Sequence, residues 1–152
     1  MRPVALFCIP LLLTLGACGD PPNDLWGSID ESYALDFDRV DIRKQNLDLL
    51  IEYVKALHGG EDKVCKVTVE TENLNIGASS DITDDVFKQK VTVERIAAVG
   101  GLFPAVTGGQ MHFDEFDFKA DGTVQGDFTV IFETGRNLFG TFKGKVQIVS
   151  TE

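Results

Sequence analysis

Gly126-Asp127-Phe128-Thr129-Val130-Ile131-Phe132, followed by Leu138-Phe139-Gly140-Thr141-Phe142-Lys143-Gly144-Lys145-Val146-Gln147-Ile148, is the stretch whose pattern decides the fold. Phe128, Val130 and Phe132 fall on one side of an extended chain. In the second run Leu138, Gly140, Phe142, Gly144, Val146 and Ile148 share a side, opposite Thr141, Lys143, Lys145 and Gln147. Successive side chains of a strand point to opposite faces, so this alternation predicts a hairpin with one buried side. Glu133 to Asn137 supplies its turn, where Gly135 is free to take a positive φ. The interleaved glycines predict strong twist or the close approach of another backbone.

Outward from the hairpin the same period continues with interruptions. Gln110 to Phe118 reads as a strand with a slip at Asp114-Glu115, and Val91 to Ala98 as another. Gly100, Gly101, Pro104, Gly108 and Gly109 break the chain between them. Lys63 to Thr71 is a strand rich in β-branched residues, and Glu72 to Lys90 a long polar loop with one helical turn near Asp81 to Phe87. Leu47 to Leu57 fits a strand through Leu49, Ile51 and Tyr53, and a helix through Leu50, Ile51, Val54 and Leu57. The strand is preferred, because the turn at Lys44-Gln45-Asn46 most simply feeds an antiparallel neighbour. That neighbour starts at Tyr33, alternates through Leu35 and Phe37, slips at Arg39 as a β-bulge would, and resumes at Val40 and Ile42. The expectation is an all-β, mainly antiparallel single domain: a sandwich or small barrel of about six to eight strands, with room for one short helix.

The first twenty residues follow a different rule. Arg2 precedes an apolar run from Val4 to Leu15, and small residues close it, which is the layout of a secretory signal. The run is shorter than the roughly 20 residues a membrane span needs. Leu15-Gly16-Ala17-Cys18 resembles the lipobox of bacterial lipoproteins. That resemblance implies cleavage after residue 17 and acyl chains on Cys18, so that 1–17 is a signal peptide, 18–25 a lipidated cysteine with a short Pro-containing tether, and 26–152 the β-rich domain. With Gly19 after the cysteine and Asp20 one place later, it also implies the outer membrane. Two or three acyl chains hold a protein almost permanently, where one does not. Trp26 opens the domain, either dipping into the interface or, as preferred, closing the edge of the core. The pattern from Asp121 to Phe142 and that from Tyr33 to Tyr53 resemble small Gram-negative lipoproteins without an assigned activity, so this likeness bears on fold and adds no site.

Composition narrows the partners. The chain of 152 residues has net charge −10; loss of Arg2 with the leader leaves 13 basic against 24 acidic residues, net −11. No basic stripe suits nucleic acid or anionic lipid. Cys8 leaves with the leader and Cys18 is acylated, so Cys65 stands alone, on the strand face of Val67 and Val69, as a buried inert thiol.

Catalytic motifs are missing from the sequence: it has no G-x-S-x-G, H-E-x-x-H, P-loop or C-x-x-C. His58, beside Glu61 and Asp62, reads as a solvated loop residue, and His112 as the polar face of a strand. Asp36, Asp38 and Asp41 among Arg39, Arg43 and Lys44 read as a solvated strand face. Asp81, Asp84 and Asp85, and separately Asp114, Glu115, Asp117 and Asp121, are weak calcium candidates without EF-hand spacing, set against a plain acidic surface. Eight phenylalanines from Phe103 to Phe142 read first as core and second as the lining of an apolar cavity. The expected role is therefore a non-enzymatic, cofactor-free interaction or structural module, held to the membrane by lipid and facing an envelope protein. The alternative is a carrier of a small apolar ligand in a Phe-lined barrel.

Overall fold

In the computed structural model, which describes residues 23–150, the alternating segments become nine strands. They are β1 (Asp24–Trp26), β2 (Arg39–Gln45), β3 (Asp48–Leu57), β4 (Gly60–Glu70), β5 (Ser80–Ile82), β6 (Val91–Ile96), β7 (Val106–Phe116), β8 (Thr123–Phe132) and β9 (Asn137–Val149). A 3-10 turn spans Ser28–Glu31, and helix α1 (Asp84–Lys90) joins β5 to β6. The strands form one curled sheet, a half-barrel, in the order β5-β7-β8-β9-β2-β3-β4-β6. Every pairing is antiparallel except β2 with β9. The free side of β9 is shared: β1 lies along Phe139 to Thr141, and β2 along Val146 to Val149.

The glycines of β9 are explained by what lies over them. Gly140 is opposite Phe128, and a Cβ there would stand 2.5 Å from the Phe128 ring and 2.8 Å from the Tyr53 hydroxyl. That hydroxyl donates to the Thr141 carbonyl at 2.8 Å, so the buried tyrosine is satisfied. Phe113 meets Phe142 and Phe116 edge-on at 5.9 and 5.0 Å, and Phe128 meets Tyr53 at 6.1 Å. Phe113, Phe128, Phe132 and Phe142 are fully buried in one core with Leu49, Ile51 and Val67. Cys65 is in that core too, as its face predicted, and burial pushes its thiol well above the usual range.

β5 and β6 sit at opposite ends of the strand order, yet only Thr83 and the seven residues of α1 separate them. Such a helix spans about 10 Å, so it draws the two margins of the sheet toward one another. Asp84 and Asp85 in its first turn and Lys88 and Lys90 in its last complement the helix dipole. Its one buried side chain, Phe87, lies on Gly109 of β7, where any Cβ would collide with the ring.

Several expectations need correction. Tyr33 to Asp38 is not a strand; the ladder starts at Arg39, so the slip there is no bulge. The period-two pattern instead records alternating burial in an extended segment laid over the end of the sheet. Leu35 is buried, Phe37 meets the Tyr53 ring at 5.0 Å and Tyr33 meets Phe103 at 5.2 Å. The first turn is Asn46-Leu47, with Asn46 at φ 55°, rather than Lys44 to Asn46. β7 begins at Val106, and Gly108 and Gly109 are paired strand residues, Gly109 small because Phe87 needs the space. The expected slip near Asp114 is present, as a register shift between Phe113 and Glu115. β1 takes in Asp24 and Leu25, which the sequence reading gave to the tether, and Leu25 rather than Trp26 is buried. Trp26 is exposed and stacks on Phe139 at 5.7 Å. Ile148, expected on the buried side of β9, is also exposed. The Leu47 to Leu57 run is the strand β3.

Candidate functional site

The strand registers gather four connections at one end of the half-barrel: residues 27–38, the turn His58-Gly59, residues 97–105 and residues 133–136. Beneath them lies Arg95. On β6, Val91, Val93 and Arg95 alternate inward, which carries a guanidinium to a position where an apolar side chain is normal. Arg95 is only 5% exposed. Its Nη1 donates to the carbonyls of Ala34 (3.0 Å) and Val64 (3.2 Å), and its plane lies 5.9 Å from the Tyr33 ring centre. Its Nε has no partner. Among the described residues no carboxylate is within 4.0 Å of it. A guanidinium never deprotonates in proteins, so the charge is retained.

A pocket of about 240 Å³ opens over this group, walled by Tyr33, Ala34, Asp36, Lys55, Val64 and Gly100. Lys55 is occupied: it bonds Asp36, whose carboxyl it holds below the usual range while its own ammonium is raised. A shallower groove of about 460 Å³ runs beside it over Leu25, Asp30 and Phe37. The 97–105 connection is pinned at both flanks. Ala98 N–H donates to Asp62 at 2.9 Å, and the Leu102 carbonyl accepts from the Tyr33 hydroxyl at 2.8 Å. Between these pins Gly100 and Gly101 take φ of 100° and 74°, a region that costs side chains strain. Val99 and Leu102 flank them 80% and 78% exposed, an apolar rim that folding alone does not require.

A second constellation lies on the polar side of the other half. His112 of β7 is directly opposite Asp81 of β5 and Asp127 of β8. Nδ1 is 2.7 Å from Asp81 and Nε2 3.5 Å from Asp114. The Asp81 hydrogen bond, with the charges of Asp81, Asp114 and Asp127, raises the His112 pKa; burial raises that of Asp127. This arrangement ties a short margin strand to the sheet and favours the protonated ring, which is unsuited to a general base.

The charged face of β2 differs from its expectation. Asp36 and Asp38 are solvated, but Asp41 is buried, and Glu52 of β3, opposite it, is only 1% exposed. Arg43 reaches both carboxylates at 3.2 Å, Arg39 holds Asp41 at 3.1 Å and Lys63 holds Glu52 at 2.5 Å. Lys66, also opposite Glu52, continues the row to Glu94 of β6 at 2.8 Å. Like charges face to face repel, so the bridging arginine is what makes the Asp41–Glu52 pairing tolerable.

The remaining candidates are dispersed. His58 is exposed in its turn. Asp114 faces His112 and Gln125, Asp117 pairs with Lys119 at 3.1 Å, Glu115 is exposed and Asp121 occupies a turn at φ 59°. Among the described residues no three His, Cys, Asp or Glu side chains converge as a metal ion would need. Cys18 lies outside the described residues. Sequence reasoning missed Arg95 and Glu52, and both had a signal: Arg95 continues the alternation of Val91 and Val93, and Glu52 is a charge between Ile51 and Tyr53. No family model, curated protein or solved structure matches the chain, so its functional conclusion rests on its own residues.

Proposed function

We propose that the chain is a lipid-anchored, non-catalytic binding module of a bacterial cell envelope, which offers the loop-ringed end of its half-barrel to an envelope protein. The observation that carries the binding half is the exposed Val99 and Leu102 rim beside a pocket floored by the partnerless Nε of Arg95. Support for the anchor comes from Leu15-Gly16-Ala17-Cys18 and, for an outer-membrane address, from Gly19-Asp20. A short tether and a strand starting at Asp24 would keep the domain within roughly 20 Å of the bilayer. The core gives the carrier reading little: rings of Phe113, Phe128 and Phe142 fill it by touching one another, Tyr53 or Gly140.

Two measurements test this. Intact mass of material from the native host is expected to show a diacylglyceryl-modified Cys18 as the first residue; an unmodified thiol or an uncut leader refutes the anchor. Copurification in mild detergent is expected to recover a defined envelope protein, and a Val99→Asp, Leu102→Asp double variant to lose it. Equal recovery by that variant, or none by the natural chain, refutes the binding surface.

A further inference from the structure

We propose that the pocket over Arg95 is a carboxylate-binding site, receiving one singly charged, planar acid group on the free edge of the guanidinium. The inference deepens the binding reading at this same end of the fold and is independent of the anchor. Nη1 is spent on the Ala34 and Val64 carbonyls, which fixes the plane of the group. The opposite edge, Nε and Nη2, faces Gly100: a Cβ on that residue would lie 3.7 Å from Nε and 3.6 Å from Nη2. The Gly100 backbone therefore lies beside the very pair of donors that forms a bidentate fork, and one of them, Nε, is buried without a partner. Desolvating a cation without a counter-ion is costly, and two carbonyls with one ring offset this only in part. An incoming carboxylate supplies what the site lacks.

Shape and charge select among anions. The pocket's volume of about 240 Å³ leaves room for a small acid or the last residue of a peptide. Tyr33, Ala34 and Val64 offer apolar wall to the body of such a ligand. Lys55 and Arg95 are balanced overall by Asp36 and Asp62 on the wall, so the pocket has no net positive charge to hold a dianion, and its one open feature is the donor edge of Arg95. A monocarboxylate is thus preferred over phosphate or sulfate. Its source is either a free small acid or the C-terminus of a peptide, the same chemistry in two carriers.

The test follows the Arg95 Nε–Hε resonance of the ¹⁵N-labelled full chain while sodium acetate replaces sodium chloride at constant ionic strength. A saturating shift is expected with acetate, and none with sodium phosphate. A tripeptide with a free C-terminus and its C-terminal amide then separate the sources. Saturation by the acid alone assigns a peptide terminus, and silence of both beside an acetate response assigns free acids. Gly100→Ala, which adds a methyl group beside the fork at a φ of 100° that also strains the new side chain, is expected to weaken acetate at least tenfold. A linear drift equal in acetate and chloride, equal saturation by phosphate, or an unchanged response in Gly100→Ala would each overturn the proposal and leave Arg95 a strut between Ala34 and Val64. Failure of the natural chain to recover an envelope protein, beside an intact acetate shift, would refute the protein-binding surface and spare the site.

Discussion

On β8 and β9 the buried face is made of phenylalanine set against glycine, Phe128 on Gly140 above all, with no charge inside it. On β2 and β3 the inner face is aliphatic apart from Tyr53, and the outer face carries a second buried layer in which Leu50 and Glu52 lie among Arg39, Arg43, Lys63 and Lys66. The two halves reach burial by different physics. The first removes apolar rings from water, at about 25 cal/mol per Å², and needs no charged partner. The second shelters a carboxylate beneath the stems of long cations, which cover apolar surface while their heads stay near water. That layer depends on every partner staying charged and in place.

The largest effect expected from breaking this contrast is Phe128→Ala. It removes the ring that fills the space over Gly140 and should cost about 3–5 kcal/mol in chemical denaturation, with the same loss at low and high salt. Next is Phe87→Ala, which takes away the one buried side chain of α1 and should cost about 3 kcal/mol. Its mark would be faster amide exchange in both β5 and β6, because one helix serves both margins. Glu52→Gln should cost about 1–3 kcal/mol, since Lys63 loses its counter-charge and Arg43 is left with Asp41 alone. A neutral result would show that the outer layer of β3 is held by packing alone.

The smallest effect is that of His112. Its pKa is raised in the folded chain, so the tie to Asp81 contributes fully below the unfolded value of about 6.5 and is lost as pH rises through the higher folded value. Amide exchange in β5, corrected for the intrinsic rate, should therefore quicken across that window. His112→Gln should flatten the profile, and the other half of the sheet should show no such response.

The same contrast governs what could be read from the sequence. The β8–β9 hairpin was legible because only one of its faces is buried, and alternation then survives in the letters. β3 was ambiguous because both of its faces are covered: Leu49, Ile51 and Tyr53 by the core, Leu50 and Glu52 by the charged layer. A strand buried on two sides loses its period and imitates a helix. Tyr33 to Asp38 shows the converse, an alternation of burial with no ladder behind it. The site was the least legible part. Arg95 is given its meaning by Ala34, Tyr33 and Gly100, residues brought to it by the curl of the sheet and not by spacing along the chain.

The lone parallel pairing, β2 beside β9, has a consequence for how the molecule is made. β2 emerges early in synthesis, and its partner includes the final thirteen strand residues of the described chain. Until those arrive, the first meander carries a naked margin with open donors and acceptors, and such margins recruit foreign strands. Closure between sequence-distant segments is also slow. A chain cut between Phe132 and Val146 would therefore be left permanently in that sticky, half-assembled condition.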